Sequence, residues 1–406
     1  MNDTSAPPAP RPGTPSRLRA INDRAALDLL LAHGPLSRTR IGSLTGLSKP
    51  TASQLLARLE AAGLVVPVGT TIGGPGPNAQ LYQVNPAAGY VAGLDVTPSQ
   101  TRFAVADITG RTIAEHQLPT PARQAARTVT GDPPAGGWGR IADGLAATVE
   151  RAGLAPGSLT RIAIGTPGAL DPQSQKLRYA AHLPGWHCAG LLDRLTEALG
   201  APVAIENDVN LAAVAEQALG SAQGCSDFVL LWAEEGIGAA IVLGGRLHRG
   251  HTGGAGEVGY MPVPGAPVIR NVRRENSGGF QELAGAAGVL ALARQHGLSA
   301  RSAGAAIGKA LATPGAGDAF LAVLAERLAT GLAAIVAVID PELVVLSGGI
   351  PAAGGARLRD LVQEQLTGLA VPRPRLLSST VPGSPVLHGA LQRALGTARE
   401  QVFTTD

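Results

Sequence analysis

The stretch Ser48-Lys49-Pro50-Thr51-Ala52-Ser53-Gln54-Leu55-Leu56-Ala57-Arg58-Leu59 decides how the first part of the chain is read. Ala52, Leu55, Leu56 and Leu59 recur at the spacing of one helical face, which leaves Thr51, Gln54 and Arg58 opposite, with Lys49 and Ser53 on the flanks. Ser48 suits an N-cap, and Pro50 falls in the first turn, where a missing N–H is harmless. Upstream, Ala26, Leu27, Leu30 and Leu31 mark a helix from Asp23 that Gly34-Pro35 stops. Between the two, Ser37 can cap a short helix with Ile41 and Leu44 inward, broken at Gly46. Downstream, Ala62-Gly63 ends the third helix, Leu64 to Val68 reads as a strand, Gly69 to Asn78 as a Gly/Pro-rich tip, and Leu81 to Val84 as the return strand. Residues 18–86 thus read as a winged helix-turn-helix. Residues 1–17, rich in Pro, Ala, Ser and Arg, read as a flexible tail.

A polar-faced third helix in this arrangement fits the major groove, where side chains reach base edges. Ser48, Lys49, Thr51, Ser53 and Gln54 are the candidates for base or phosphate contact, and Arg38 and Arg40 at the start of the second helix for backbone phosphates. The alternative is a three-helix bundle with a solvated face. Residues 1 to 85 carry eight Lys and Arg against four Asp and Glu, whereas the whole chain is only +3. Charge alone suits a solvated surface as well as DNA, and it is the agreement of wing, basic bias and helix pattern that favours DNA.

At 406 residues and 45% hydrophobic content, the chain is long enough for two or three domains. With no run of 18 or more apolar residues and no charged-then-apolar leader, the expectation is a cytoplasmic protein with no membrane partner. Cys188 and Cys225 lack metal-ligand spacing and read as core thiols, so no metal is expected from them. From Gly89 onward strands and helices alternate. Strands are expected at 90–96, 102–107, 112–116, 161–165, 203–206, 228–233, 239–242 and 343–346, helices at 141–152, 191–199 and 320–339, and a surface loop at 119–137. Two α/β lobes over residues 87–406 are the natural packing.

Within this region lie Gly93-Leu94-Asp95-Val96-Thr97, Ile164-Gly165-Thr166-Pro167-Gly168, Glu206-Asn207-Asp208-Val209-Asn210, Gly236-Ile237-Gly238, Gly253-Gly254-Ala255-Gly256-Glu257-Val258-Gly259 and Ser347-Gly348-Gly349. In that order, from about residue 20 onward, they resemble the ROK family of repressors, open reading frames and kinases, and its NagC/XylR-type repressors above all. The resemblance implies an actin-like ATPase and sugar-kinase fold with a cleft between two lobes. It also implies that Asn207 and Asp208 bind sugar hydroxyls, Asp208 standing where the kinases keep their general base, and that Glu257 and Glu282 bind further hydroxyls. On residue types alone, Asn207 and Asp208 suit equally the capping of a helix that starts near Asn210.

Departures from the family pattern point away from phosphoryl transfer and leave no catalytic residue. The kinases' Asp-x-Gly-Gly-Thr loop is here Asp95-Val96-Thr97-Pro98-Ser99, without the glycines that let backbone approach phosphate. Their Gly-Thr-Gly-Ile-Gly loop is Glu234-Glu235-Gly236-Ile237-Gly238, which sets two carboxylates beside a triphosphate. The zinc motif is replaced by Arg273, Glu275 and Phe280, with Tyr260 in place of its histidine, so neither metal nor cofactor is expected. Tyr260 suits equally a hydroxyl contact to a ligand and simple packing. The wing tip Gly74-Pro75-Gly76-Pro77-Asn78 lacks arginine for a minor groove. These observations predict a homodimeric or homotetrameric repressor, a roughly palindromic operator and a sugar or sugar-derivative effector, against the alternatives of an ATP-dependent sugar kinase and a ligand-free DNA-binding dimer.

Overall fold

A computed structural model of the chain describes residues 15–70, 79–119, 136–171, 177–178, 186, 188, 190–269 and 278–404. The first helix, α1, runs Pro15–His33 and so begins three residues inside the expected tail; residues 1–14 lie outside the described residues. Strand β1 (Leu36–Ser37) leads into α2 (Arg38–Thr45), and Gly46 closes that helix in the left-handed conformation only glycine adopts freely. Helix α3 (Lys49–Ala61) buries Ala52, Leu55, Leu56 and Leu59, the face read from the sequence. Strands β2 (Val65–Thr70) and β3 (Gln80–Val84) form the wing, and β1 adds to β3 on its other side. The tip from Gly74 to Asn78 lies outside the described residues.

Arg58 departs from its expected place on the outer face of α3. Its guanidinium turns back to Asp23 of α1, with Nε donating to Oδ2 at 3.1 Å, and Asp23 is fully buried. The hydrogen bond to Asp23 and the attraction of its charge raise the arginine pKa. A long side chain at a boundary position can turn either way, and the buried carboxylate decides it.

The rest of the chain builds two sheets with one connectivity. In the first lobe β4 (Tyr90–Val96), β5 (Gln100–Asp107) and β6 (Thr112–Pro119) are followed by α4 (Gly136–Arg151), β7 (Leu159–Thr166), the short pair β8 (Ala169–Leu170) and β9 (Leu177–Arg178), α5 (Leu191–Leu199) and β10 (Val203–Asn207). The sheet order is β10-β7-β4-β5-β6, antiparallel across β4, β5 and β6 and parallel across β4, β7 and β10. The loop expected at 119–137 falls almost wholly outside the described residues, since β6 ends at Pro119 and α4 opens at Gly136.

Helix α6 (Asp208–Leu219) crosses to the second lobe, where β11 (Phe228–Ala233), β12 (Ile237–Leu243), β13 (Arg246–His248), β14 (Leu343–Ser347) and β15 (Arg375–Ser378) repeat the pattern as β13-β12-β11-β14-β15. Between β13 and β14 lie α7 (Gly279–Ala284), α8 (Ala286–Gln295), α9 (Ala303–Leu311) and α10 (Ala316–Ile339). Helix α10 is long and apolar enough to cross a bilayer; here Phe320, Leu324, Leu328 and Leu332 are fully buried in the core of the second lobe. Helix α11 (Gly349–Leu369) follows β14, and α12 (Pro385–Val402) returns to the first lobe.

Two glycines let α12 come in close. A Cβ on Gly93 of β4 would stand 2.9 Å from the Leu391 nitrogen, and one on Gly389 would overlap the Leu211 carbonyl of α6. At its far end α12 meets α1: Arg24 Nη1 donates to the Arg399 carbonyl at 3.3 Å, and the Arg24 guanidinium lies 5.6 Å from the centre of the Phe403 ring. One apolar cluster therefore runs from Leu27 and Leu30 of α1 to Ile108 of the first lobe and Leu395 and Phe403 at the end of α12.

Candidate functional site

The head brings the seven expected DNA-contact residues together at α2 and α3 and gives several of them local work. Ser48 Oγ caps α3 by accepting from the Thr51 nitrogen at 3.4 Å, and it shares a 2.8 Å hydrogen bond with Thr51 Oγ1. Ser53 Oγ donates to the Lys49 carbonyl at 2.9 Å and accepts from Arg38 Nη1 at 3.2 Å. Lys49, Gln54 and Arg40 have exposed side chains that extend from this surface.

A cavity of about 1050 Å³ lies between the lobes. The first lobe supplies Asp95 and Arg102, the start of α6 supplies Asn207 and Asp208, and the second lobe supplies Trp232, Glu234, Glu257, Tyr260 and Gln281. Asn207 is the N-cap of α6: its Oδ1 accepts from the Asn210 nitrogen at 3.1 Å while Nδ2 donates to the Gly168 carbonyl at 3.0 Å. The capping reading of Asn207 is thus realised, and it holds the adjacent Asp208 at the cavity wall. Asp208 Oδ1 accepts from the Val209 nitrogen at 2.8 Å.

Burial pushes Asp208 up from 3.8 to about 6, with the Asp95 and Glu234 charges adding to it. Glu257 rises from 4.5 to about 7, mainly through burial and then through the Asp208 charge. Because both folded-state values are raised, the folded chain binds more protons than the unfolded chain between about pH 4 and 7, so these groups make stability fall as pH rises through that interval. The expected result is a melting temperature that is higher at pH 5.5 than at pH 8, with the difference reduced in Glu257→Gln. An equal pH response in that variant would remove Glu257 as its source.

Glu282, expected as a sugar contact, is exposed and outside the cavity wall. Gln281, one residue earlier, lines it instead. Successive helical residues point about 100° apart, and fully buried Phe280 fixes the rotation of α7. Gln281 Oε1 accepts from the Ile237 nitrogen at 2.6 Å and Nε2 donates to the Glu235 carbonyl at 2.9 Å. Sequence reasoning also missed Glu206. Its Oε2 accepts from Arg249 Nε at 2.8 Å and its Oε1 from Asn210 Nδ2 at 2.9 Å, while the Arg249 carbonyl accepts from Ala255. Arg249 thereby ties the loop of Glu257 to the strand that ends at Asn207.

The half of the cavity where the family's kinases hold nucleotide does not fit a triphosphate. Asp95 Oδ2 accepts from Arg102 Nη1 at 2.8 Å and from Ser384 Oγ at 2.9 Å, which leaves that carboxylate already paired. Thr97 Oγ1 donates to the Gln100 carbonyl at 2.9 Å and closes the turn over Pro98 and Ser99. Glu234 lies against the first turn of α11, its Oε1 3.2 Å from where a Gly349 Cβ would be. A carboxylate there takes the place at a helix N-terminus that a phosphate would use. Burial and then Glu235 raise its pKa. Among the described residues no cluster of His, Cys, Asp or Glu could hold zinc, and Phe280 is packed in the core; Arg273 and Glu275 lie outside the described residues.

Comparison with known proteins agrees with the two-part fold. The model of the ROK family matches residues 91–390, and that of the MarR family matches residues 22–70. The chain is 26% identical over 248 residues to the xylose repressor of Bacillus spizizenii, covering 61% of each. It is 24% identical over 253 residues to the DNA-binding transcriptional dual regulator NagC of Escherichia coli, 62% of this chain and 59% of that one. The matched part thus spans about three fifths of the length of these repressors. A glucokinase of Halalkalibacterium halodurans is 26% identical over 301 residues, 70% of this chain and 87% of the relative. Among solved structures, a ROK family transcriptional regulator described as a homolog of the E. coli MLC protein superposes with a TM-score of 0.74 over 96% of this chain and 100% of its own; at 18% identity it speaks for the fold alone. The ROK hexokinase of Thermus thermophilus superposes with a TM-score of 0.62 at 27% identity, over 77% of this chain and 99% of its own. A winged helix-turn-helix head on a two-lobed, actin-like sugar-kinase fold, matched over residues 91–390, makes this chain a member of the ROK family.

Proposed function

We propose that the chain is a sequence-specific transcriptional repressor whose hold on its operator responds to a sugar or sugar derivative in the interlobe cavity. The carrying observation is the division of that cavity. One half is lined by Asp208, Glu257 and Tyr260, side chains suited to hydroxyl groups, and the other by the Asp95–Arg102 pair and Glu234, which leave a phosphate poorly accommodated. The relatives named as repressors carry the same sense. Lys49, Thr51 and Gln54 are the proposed base and phosphate contacts, with Arg38 and Arg40 on the backbone, and the protein acts in the cytoplasm with the DNA it reads. A homodimer or a tetramer built from one would read a roughly palindromic operator.

The test selects duplexes from a random library with the full chain and titrates the enriched duplex across salt. Gln54→Ala is expected to lower discrimination by about 1–3 kcal/mol at one base pair, and Lys49→Ala to weaken binding uniformly and flatten the salt slope by about one. A chain with no salt-sensitive preference among duplexes would sink the proposal. A thermal-shift panel of D-xylose, D-glucose and N-acetyl-D-glucosamine then tests the cavity. ATP-dependent hexose phosphorylation that disappears in Asp208→Asn would establish the kinase instead.

A further inference from the structure

We propose that α12 carries the state of the cavity to the DNA-binding head, with Ser384 and Arg24 as the positioning residues at its two ends. The inference rests on the functional reading above and adds the route.

The start of α12 is part of the cavity wall. Ser384 Oγ caps the helix by accepting from the Leu387 nitrogen at 3.2 Å, and the same hydroxyl donates to Asp95 Oδ2 at 2.9 Å. Pro385 and Val386 face the cavity alongside it. A ligand that moves Asp95 or its partner Arg102 therefore acts on the cap of α12 directly.

The second turn of α12 has no slack against α6, the helix whose first residue is Asp208. Gly389 lies so close to the Leu211 carbonyl that no side chain would fit between the two helices. Close-packed interiors do not deform continuously, so a displacement of α6 has to move α12 with it or break the contact. Asp208 and Asp95, on different elements, thus converge on one helix.

The other end of α12 joins the head to the first lobe. The Arg399 carbonyl accepts from Arg24, and the Arg399 guanidinium donates to the Ile108 carbonyl at 2.9 Å and the Thr109 carbonyl at 2.8 Å. Arg24 precedes by one turn Asp28, with which it pairs at 3.0 Å, and follows Asp23, which holds Arg58 of α3. With 18 residues, α12 spans about 27 Å as a single rigid element. The helix that would read DNA is therefore fastened, through α1, to a helix whose cap is a wall of the cavity.

The experiment is a double-mutant cycle on the full chain, read by fluorescence anisotropy on the duplex that the wild type enriches from a random library, at fixed salt. Ser384→Ala is expected to weaken DNA binding at least about fivefold, the lower end of ordinary coupling between sites, although Ser384 lies at the far end of α12 from the head. In an Arg24→Ala background the same substitution is expected to change affinity less than twofold, and Ser384→Thr to restore it. Unchanged affinity in Ser384→Ala, or an equal loss in both backgrounds, overturns the proposal. Asp95→Asn takes its place in the cycle should Ser384→Ala not fold. Amide exchange in α1 supplies a readout independent of DNA: it is expected to accelerate in Ser384→Ala, and exchange that does not change there also overturns the route. A wild type with no DNA preference would instead overturn the functional reading, while exchange still decides the route.

Discussion

Gly256→Ala is expected to lower the stability of the second lobe and to abolish the sugar binding proposed for the cavity, an outcome that calorimetric melting and titration with the sugar panel would both register. Gly256 has φ of +96°, and a Cβ there would overlap the Ala239 carbonyl of β12. An L side chain in left-handed backbone costs about 1–2 kcal/mol, and forcing extra volume into a packed site a further 1–3 kcal/mol or so. The loop cannot retreat cheaply, because the Gly256 carbonyl accepts from the Ala239 nitrogen at 2.8 Å and from Val258 at 2.7 Å. Glu257 is the next residue, so relief of the clash moves the very carboxylate that faces the cavity. Gly254→Ala is the control: the nearest atom to its Cβ would be Thr252 Oγ1 at 3.5 Å, an ordinary contact. Equal melting of Gly256→Ala and wild type would show that the loop is not held as described.

Arg58→Ala is expected to destabilise the head selectively, by on the order of 3 kcal/mol, because it strips a buried carboxylate of its charged partner. Asp23 is 0% exposed in the intact head, where two nitrogens of the Arg58 guanidinium meet its carboxylate. Amide exchange in α1 and α3 should rise while the strands of the second lobe keep their protection. If Arg58 served DNA instead, the variant would melt as the wild type does and only its salt slope would fall.

How far the sequence could be read depended on whether a position had one physical use or two. The apolar face of α3 had one, and the structure buries the four residues that the spacing selected. Arg58 had two, solvent or a buried acid on α1, and nothing in the local pattern names a partner 35 positions away. Asn207 suited a cap and a ligand equally, and only the Asn210 and Gly168 distances show that both ends of its amide are engaged. Gln281 and Glu282 differ by one step of a helix whose rotation is set by Phe280, a tertiary fact. The signal for Glu206 was present in Glu206-Asn207-Asp208: an acidic residue at the buried end of a strand demands a cation, and Arg249 supplies it from the other lobe.

The return of α12 also bears on when the protein matures. The Arg24–Arg399 contact joins groups 375 positions apart, and the Asp95–Ser384 contact groups 289 apart. On a ribosome, the head and the first sheet emerge long before the helix that covers them, with Leu27, Leu30 and Ile108 deprived of part of their final cover. A nascent chain stalled before residue 385 thus leaves an apolar surface open to chaperones, and the head gains its finished seat only once α12 has been made.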